Sequence, residues 1–388
     1  MVERGALGID EILPFINKTF KEKFKTLLPK IYSSNKYQSY HYSVRENGKI
    51  LGITAAIPAE IAVYDRKLSA RGIGMVSTAK KARGRGIMSA MVKRAIADAE
   101  KENVDFMFLS GNRQRYEYFG FVPAGYKYTF TLLKHNVKHM KRKLSYSFVR
   151  VSESSPELDK IIACYNESDV RFIREDFYNI VSSWRTKELY AIINASGKVI
   201  GHIAKKWWKI VDFNTVEPQN SAYIIKAFME FRHLPTVKTE IYPSAPKVVR
   251  DLSAYFEYPE ASSCCNIKIL NYRNVIETLL YMQSKEVRIS DFDINILIGN
   301  ELINVTSKDN EPKAISLGKL PPQNAEATAV KTPSDIEIKT ENGDIRNYRV
   351  DYAFSEKEAA ISLFSAPLSA HNGLPFSLPI FVTFADNV

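Results

Sequence analysis

The sequence of 388 residues predicts an α+β protein: a mixed central sheet flanked by helices, followed by a further compact α+β unit. Three observations carry this. A β-leaning apolar segment runs into a glycine-rich basic loop and then an amphipathic helix, ending near Lys101. Alternating apolar segments recur along the chain, and Asn47-Gly48 and Asn342-Gly343 supply strong turn signals between them. The chain is also too long for one ordinary core, so two or three domains are expected.

Before about residue 35, the spacing of Ile12, Leu13, Ile16, Phe20 and Phe24 predicts one or two opening helices. Tyr42-Ser43-Val44 and Ile50-Leu51-Gly52-Ile53 flank the first Asn-Gly turn as a hairpin. The strand to about Ile61, then Val63 to Leu68, continues the meander into the central run. That run is Gly74-Met75-Val76-Ser77-Thr78, Ala79-Lys80-Lys81-Ala82, then Arg83-Gly84-Arg85-Gly86-Ile87-Met88. From Ile87 to about Lys101, apolar residues at 87, 88, 91, 92, 95, 96 and 99 form a helical stripe, with Lys93, Arg94 and Asp98 on the opposite face. Asp105 to Leu109 reads as a buried strand, followed by Ser110-Gly111-Asn112 and Tyr116-Glu117-Tyr118-Phe119-Gly120-Phe121. An alternating segment from Tyr126 to about Leu133 closes the first domain.

Strand, glycine-rich basic loop and helix in this order make a seat for an anion. Glycine lets the main chain approach a ligand closely. The first N–H groups of a helix lack partners and lie at the positive end of its dipole. Together they suit a pyrophosphate, and Arg83 and Arg85 add charge. An ordinary β–α turn with solvated arginines is the alternative. A P-loop is excluded by the absence of Gly-x-x-x-x-Gly-Lys-Ser/Thr, and a Rossmann site by the absence of Gly-x-Gly-x-x-Gly with its distal acid.

The run resembles the pyrophosphate loop of the GNAT superfamily of N-acetyltransferases, Gln/Arg-x-x-Gly-x-Gly/Ala. Arg83, Gly86 and Met88 fill its defined positions, Met88 departing from the last. The block Tyr116 to Phe121 resembles the Tyr-x-x-Phe/Leu-Gly-Phe signature that closes such domains about thirty residues on.

A second domain starts at Tyr146-Ser147-Phe148-Val149-Arg150-Val151, after the basic stretch Lys134 to Lys143, which reads as a linker. Ser196-Gly197-Lys198-Val199-Ile200-Gly201-His202-Ile203 echoes Asn47-Gly48-Lys49-Ile50-Leu51-Gly52-Ile53, yet no glycine occurs between Asn214 and Phe231, where a phosphate loop would fall. This reads as a duplicated unit unable to hold the cofactor; chance recurrence of a glycine-lysine hairpin is the alternative. A third region opens with a helical pattern from Tyr272 to Met282 and alternation over Phe292 to Ile298. Ser307 to Gln323 is expected to be loop, and Ile336 to Lys339, Tyr348 to Tyr352 and a capping box at Ser355-x-x-Glu358 complete the unit.

This plan resembles the acetyltransferase branch typified by mycobacterial "enhanced intracellular survival" protein and its bacterial relatives. The resemblance implies a catalytic acetyltransferase domain over 1–135, a degenerate second one over 145–270, and a domain like sterol carrier protein over 271–388. It also implies a homo-oligomer, a trimer or hexamer by analogy. The ending from Leu378 to Val388 is similar to that branch's apolar C-terminus.

Composition is that of a globular protein, with no apolar run of bilayer length and no signal-peptide core, so a cytoplasmic enzyme without membrane contact is expected. Cys164, Cys264 and Cys265 and the six histidines lack metal-ligand spacing, and no metal is expected. The net charge of +11 is partly accounted for by Arg66, Lys67, Arg71, Lys80, Lys81, Arg83 and Arg85, expected as a basic rim for coenzyme A phosphates. No nucleic-acid-binding motif accompanies it, and nucleic acid is not an expected partner.

The resemblance implies an acetyl-CoA-dependent transfer to a primary amine of a small molecule, peptide or lysine side chain. The leaving thiolate, pKa about 8.5, suits a phenol donor of pKa about 10, and Tyr116 fills the signature tyrosine position as general acid. A ring packed under the pantetheine arm is the alternative. The free α-carboxylate of Val388 is implied as a catalytic group that orients the amine; a frayed terminus is the alternative. Cofactor contacts fall to Val76, Ser77 and Thr78 on the strand, Arg83, Gly84, Arg85, Gly86, Ile87, Met88 and Ser89 at the loop, and Gly111 and Asn112 beyond the next strand. A non-catalytic protein that binds or senses acyl-CoA or an apolar ligand is the alternative function. The acceptor itself is not legible, although a net-basic chain disfavours polycations.

Overall fold

A computed structural model of the chain describes residues 1–364 apart from 187, 243 and 321–332. Among these residues thirteen strands share one sheet: β1 (Val2–Arg4), β2 (His41–Glu46), β3 (Lys49–Val63), β4 (Arg66–Thr78), β5 (Phe106–Leu109), β6 (Val122–Leu133), β7 (Tyr146–Val151), β8 (Val170–Phe172), β9 (Glu188–Asn194), β10 (Val199–Lys206), β11 (Lys209–Thr215), β12 (Thr236–Ile241) and β13 (Glu257–Ile269). Their order is β1-β2-β3-β4-β5-β13-β6-β12-β11-β10-β9-β7, with β8 against β3. The predicted fold class is the observed one.

The strand order has a consequence for the domains. Parallel pairs occur at β4/β5 and at β11/β12, and the neighbours of the second member of each pair are exchanged. β13, late in the chain, lies beside β5, while β6, from the first third, lies beside β12. β6 and β13 pair with each other between them. Each half of the sheet is thus completed by a strand from the other, and a cut near residue 140 would separate β6 from β12 and β13.

Helix Ile87–Lys101 forms over the predicted span and buries Ile87, Met91, Val92, Ala95, Ile96 and Ala99 against Ile73, Met107, Leu109 and Phe121. Asp98 departs from its expected exposed position. It is buried, accepting from Arg94 Nε at 2.8 Å and from Arg4 Nη1 at 3.5 Å, so pairing offsets its desolvation. The other face of the sheet is covered by helices Ile9–Phe20 and Tyr272–Glu286, which bring Ile12, Ile16, Ile276 and Leu280 against Ile53, Ile57, Phe106 and Phe108.

A second sheet of six strands follows: β14 (Phe292–Ile298), β15 (Glu301–Lys308), β16 (Glu311–Lys319), β17 (Ser334–Lys339), β18 (Ile345–Val350) and β19 (Tyr352–Phe354), ordered β18-β17-β16-β15-β14-β19. β16 corrects the expected loop from Ser307. Ala314 is buried opposite Val305, and Pro312 is tolerated because, among the described residues, β17 meets β16 only at Lys319↔Lys339. The capping box forms as predicted. Ser355 Oγ accepts from Glu358 N–H at 3.2 Å, and Glu358 accepts from Ser355 N–H at 2.9 Å. The basic stretch after Leu133 is not a bare linker: it forms a short helix, Lys134–Val137, and buries Met140. The ending from Leu378, and with it Val388, lies outside the described residues.

Candidate active site

β4 and β5 pair only from Ala70↔Phe106 to Gly72↔Phe108. β4 continues to Thr78, so the edge from Ile73 onward faces a wedge where the strands part. The closed end is clasped by Asp105, whose Oδ2 accepts from Ser69 N–H at 2.7 Å and Ser69 Oγ at 2.9 Å. Hydrogen bonds to a charged group contribute about 1.5–3 kcal/mol each. Neither Ser69 nor Asp105 was read as functional, and only the position of Asp105 at the head of an apolar run hinted at it.

A β-bulge shapes the open end. Ile53 pairs with Ser77 but Ala55 with Gly74, leaving one extra residue on β4, and Met75 takes φ 52° there. Bulges re-aim the chain that follows, here Val76, Ser77 and Thr78. Ser77 is buried, and its hydroxyl donates to the carbonyls of Ile53 at 3.1 Å and Met75 at 3.0 Å. Its side chain is therefore committed to the bulge, and what it offers a ligand is main chain.

The loop after β4 has the geometry of an anion seat. Gly84 and Gly86 take φ 81° and 72°, and a β-carbon on either would meet nothing within 4 Å. Their glycines serve the backbone angle and leave open space in front. The first intrahelical bond runs from Ala90 N–H to Gly86 O at 2.9 Å, so the N–H groups of Ile87, Met88 and Ser89 precede it. Arg83, Gly84, Arg85 and Gly86 are exposed, Met88 and Ser89 half-buried, and Ile87 buried. Arg85 forks onto Glu46 at the β2–β3 turn, at 3.1 and 2.6 Å. This pairing, which holds the Glu46 carboxylate below its ordinary value, was not foreseen. A group with several phosphates fits this seat by open volume, convergent N–H groups and local charge.

The proposed basic rim is smaller than the sequence implied. Lys80, Lys81, Arg83 and Arg85 flank the loop, but Arg66, Lys67 and Arg71 occupy the far end of β4. There Arg66 pairs with Glu277 and lies over the Tyr281 ring, Lys67 pairs with Glu60, and buried Arg71 pairs with Glu102. Sequence adjacency misled because a strand carries its two ends far apart.

Beyond β5 the chain turns through Gly111 and Asn112 into the short helix Arg113–Tyr116. Asn112 Oδ1 accepts from Gln114 N–H at 3.1 Å as the cap of that helix, so its side chain is committed to the turn. Gly111 O accepts from Asn266 Nδ2 of β13 at 3.3 Å, a contact across 155 residues with no local sequence signal. Tyr116 is buried on Gly111 and edge-on to Phe121. Burial raises its pKa above the ordinary 10.0, with the positive charge of Arg115 opposing. The fold thus sets the β4 wedge, the loop and the Gly111–Tyr116 turn at the C-terminal ends of one parallel strand pair.

The second strand pair is built differently. Helix Ser221–Phe231 follows β11 as Ile87–Lys101 follows β4, but its first turn is already filled: Ala222 N–H donates to Asp251 Oδ2 at 2.8 Å. A carboxylate of the chain itself thus caps the first turn of this helix. Beside it, a cavity of about 340 Å³ is lined by Tyr165, Arg174, Asp212, Asn214 and Glu240 among others. Arg174 binds Asp212 through both terminal nitrogens at 2.6 and 3.4 Å, and His202 Nε2 lies 3.0 Å from the same carboxylate.

Comparisons with known proteins bear on the fold that carries this site. Residues 8–124 match the family described as Acetyltransferase (GNAT) domain. Among solved structures, Eis1 from Mycobacterium abscessus is similar over 100% of both chains at 8% identity, with a TM-score of 0.62. A GCN5-related N-acetyltransferase from Anabaena variabilis is similar over 82% of this chain and 86% of its own at 14% identity, TM-score 0.61. One from Kribbella flavida covers 81% and 83% at 11% identity, TM-score 0.59. At such identities the likeness is one of fold. No curated protein matches the sequence. Over residues 8–124 the chain is thus similar to the acetyltransferase (GNAT) domain family, and it has the fold of these N-acetyltransferases.

Proposed function

We propose that this chain is an acetyl-CoA-dependent N-acetyltransferase that passes the acetyl group directly to a primary amine. One observation carries the reading: the wedge where β4 leaves β5 opens beside the helix N-terminus at Gly86 and the buried phenol of Tyr116. Bound acetyl-CoA would supply the thioester. Main-chain N–H groups from Gly84 to Ser89 would hold its diphosphate, with Arg83 and Arg85 adding charge. The free edge of Val76, Ser77 and Thr78 would pair with the pantetheine amides, and Gly111 and Asn112 would flank the acetyl arm.

Tyr116 donates its proton to the sulfur as the C–S bond breaks. The proton shed by the attacking nitrogen as the amide forms restores the phenol. Burial keeps Tyr116 protonated at neutral pH, so it stands ready as an acid. The exchange of β6 and β13 around two parallel pairs supports reading residues 145–270 as a second acetyltransferase-like unit, and Asp251 at its helix supports the view that it no longer binds the cofactor.

The test is direct. The purified chain is mixed with acetyl-CoA and a panel of primary amines, and free thiol is followed. Amine-dependent thiol release is expected; tight acetyl-CoA binding with no release for any amine would favour a binding or sensing protein.

A further inference from the structure

The turn between β10 and β11 reads Lys205-Lys206-Trp207-Trp208-Lys209, and its two tryptophans are 60% and 54% exposed. Their rings stack at 6.0 Å with 26° between planes. Trp207 takes φ 57°, a region uncommon for a bulky side chain. Lys238 of β12 returns to the tip, its N–H donating to Trp208 O at 3.3 Å. The indole stack therefore stands at one end of the sheet, where no described neighbour covers it fully.

Charge at this end is one-sided. Lys206 Nζ lies 5.3 Å from the Trp207 ring centre and donates to Trp184 O at 2.8 Å, and exposed Lys238 sits opposite Lys209 in register. The carboxylates here are each shared by two bases: Glu188 by Lys205 and Arg232 at 3.0 and 3.3 Å, Glu240 by Lys127 and Lys209 at 2.7 and 2.6 Å. Positive charge is left in excess around an exposed indole stack.

Stacked indoles in water, ringed by bases, call for a partner with apolar depth and negative charge. A second copy presenting the same tip would set like charges against each other. Indole rings favour the headgroup level of a bilayer, and surface lysines are drawn to anionic lipid. We propose that the β10–β11 tip docks this protein on an anionic lipid surface, with Trp207 and Trp208 entering the headgroup layer and exposed Lys238, within the net positive charge of this end, facing lipid phosphates. Among the described residues no helix is long and apolar enough to cross a membrane, and docking at the surface needs none.

Two of the chain's three tryptophans sit at this tip, so intrinsic emission reports on it. The full chain is mixed with vesicles of phosphatidylcholine alone or with added phosphatidylglycerol, and emission and co-sedimentation are measured. Blue-shifted emission and sedimentation with the anionic vesicles only are expected. Partitioning should drop about tenfold or more in the double variant Trp207→Asn/Trp208→Ser and in Lys238→Glu, with acetyl-CoA affinity retained as the check on folding. The proposal is overturned by unshifted emission, by variants that sediment as wild type does, or by sedimentation velocity showing that the double variant loses an oligomer instead. Displacement from vesicles failing at high salt would likewise count against it.

Discussion

The ring of Tyr116 lies so close to the main chain of Gly111 that a β-carbon at residue 111 would fall 2.6 Å from Cε2 and 3.2 Å from Cδ2. Glycine at 111 is thus the condition for the phenol's position. Asn266 fixes the same residue from the other side by holding its carbonyl. The proposed acid is set by a glycine packed against it and by a neighbouring strand that comes from far along the chain.

Gly111→Ala should therefore displace the ring rather than empty the site. Overpacking of this size costs about 1–3 kcal/mol, and a tenfold rate loss corresponds to about 1.4 kcal/mol. We expect kcat to fall about tenfold while the Kd for acetyl-CoA changes by less than about threefold. Steady-state kinetics with calorimetry checks this; an unaltered kcat would detach Gly111 from the placement of Tyr116.

Gly86 is at φ 72° with open space in front of it. A side chain there meets backbone strain of about 1–2 kcal/mol, and a carboxylate would also confront the diphosphate. Gly86→Glu should reduce acetyl-CoA affinity at least about a hundredfold. Gly86→Asn, which tolerates this backbone angle without charge, should retain far more of it. Calorimetry showing equal affinity for Gly86→Glu and wild type would remove the seat from the loop.

Arg85 is held by Glu46 in an exposed pair. Such pairs are weak and exchange readily, so removing the competing carboxylate leaves the guanidinium to the phosphates. Glu46→Gln should tighten acetyl-CoA binding by about twofold at low salt, and the gain should vanish as salt rises. Weaker binding in the variant would mean that the pair shapes the loop instead.

In the second half of the sheet, burial pushes Asp212 upward, but the charge of Arg174 and the hydrogen bonds from His202 and Arg174 hold it well below the usual carboxylate range. A carboxyl depressed in the folded state adds stability above its unfolded value, and that stability is lost as pH falls through the folded value. The contribution is full at neutral pH and begins to fade only below about pH 4. Asp212→Asn removes the carboxylate charge paired with buried Arg174, for an expected loss of about 3–5 kcal/mol at neutral pH. Denaturant titration should show the gap between variant and wild type narrowing in acid. A gap independent of pH would contradict the role given to the charge.

Much of this was legible because it is local. The helix from Ile87, the strand ending at Leu109 and the box at Ser355 follow from periodicity and capping chemistry, which act within a few residues. What could not be read was non-local. β13 enters beside β5 from about 150 residues away, and nothing in Phe106–Leu109 marks the strand that will cover its edge. Glu46 reaches Arg85, and Asn266 reaches Gly111, by the same route. Burial of Asp98 and the far position of Arg71 were missed because charge alone suggested solvent or the phosphate loop.

The Tyr116 hydroxyl is the centre of the proposed chemistry, and removing that single oxygen tests it. Tyr116→Phe keeps the ring on Gly111 and the apolar contact with Phe121, so acetyl-CoA affinity should be nearly unchanged by calorimetry. Thiol release under saturating amine should fall by roughly 10²-fold or more. The wild type should show no loss of rate from phenol ionisation until pH exceeds 10.0, since burial raises that pKa. Turnover in the variant equal to wild type would contradict the assignment of the acid.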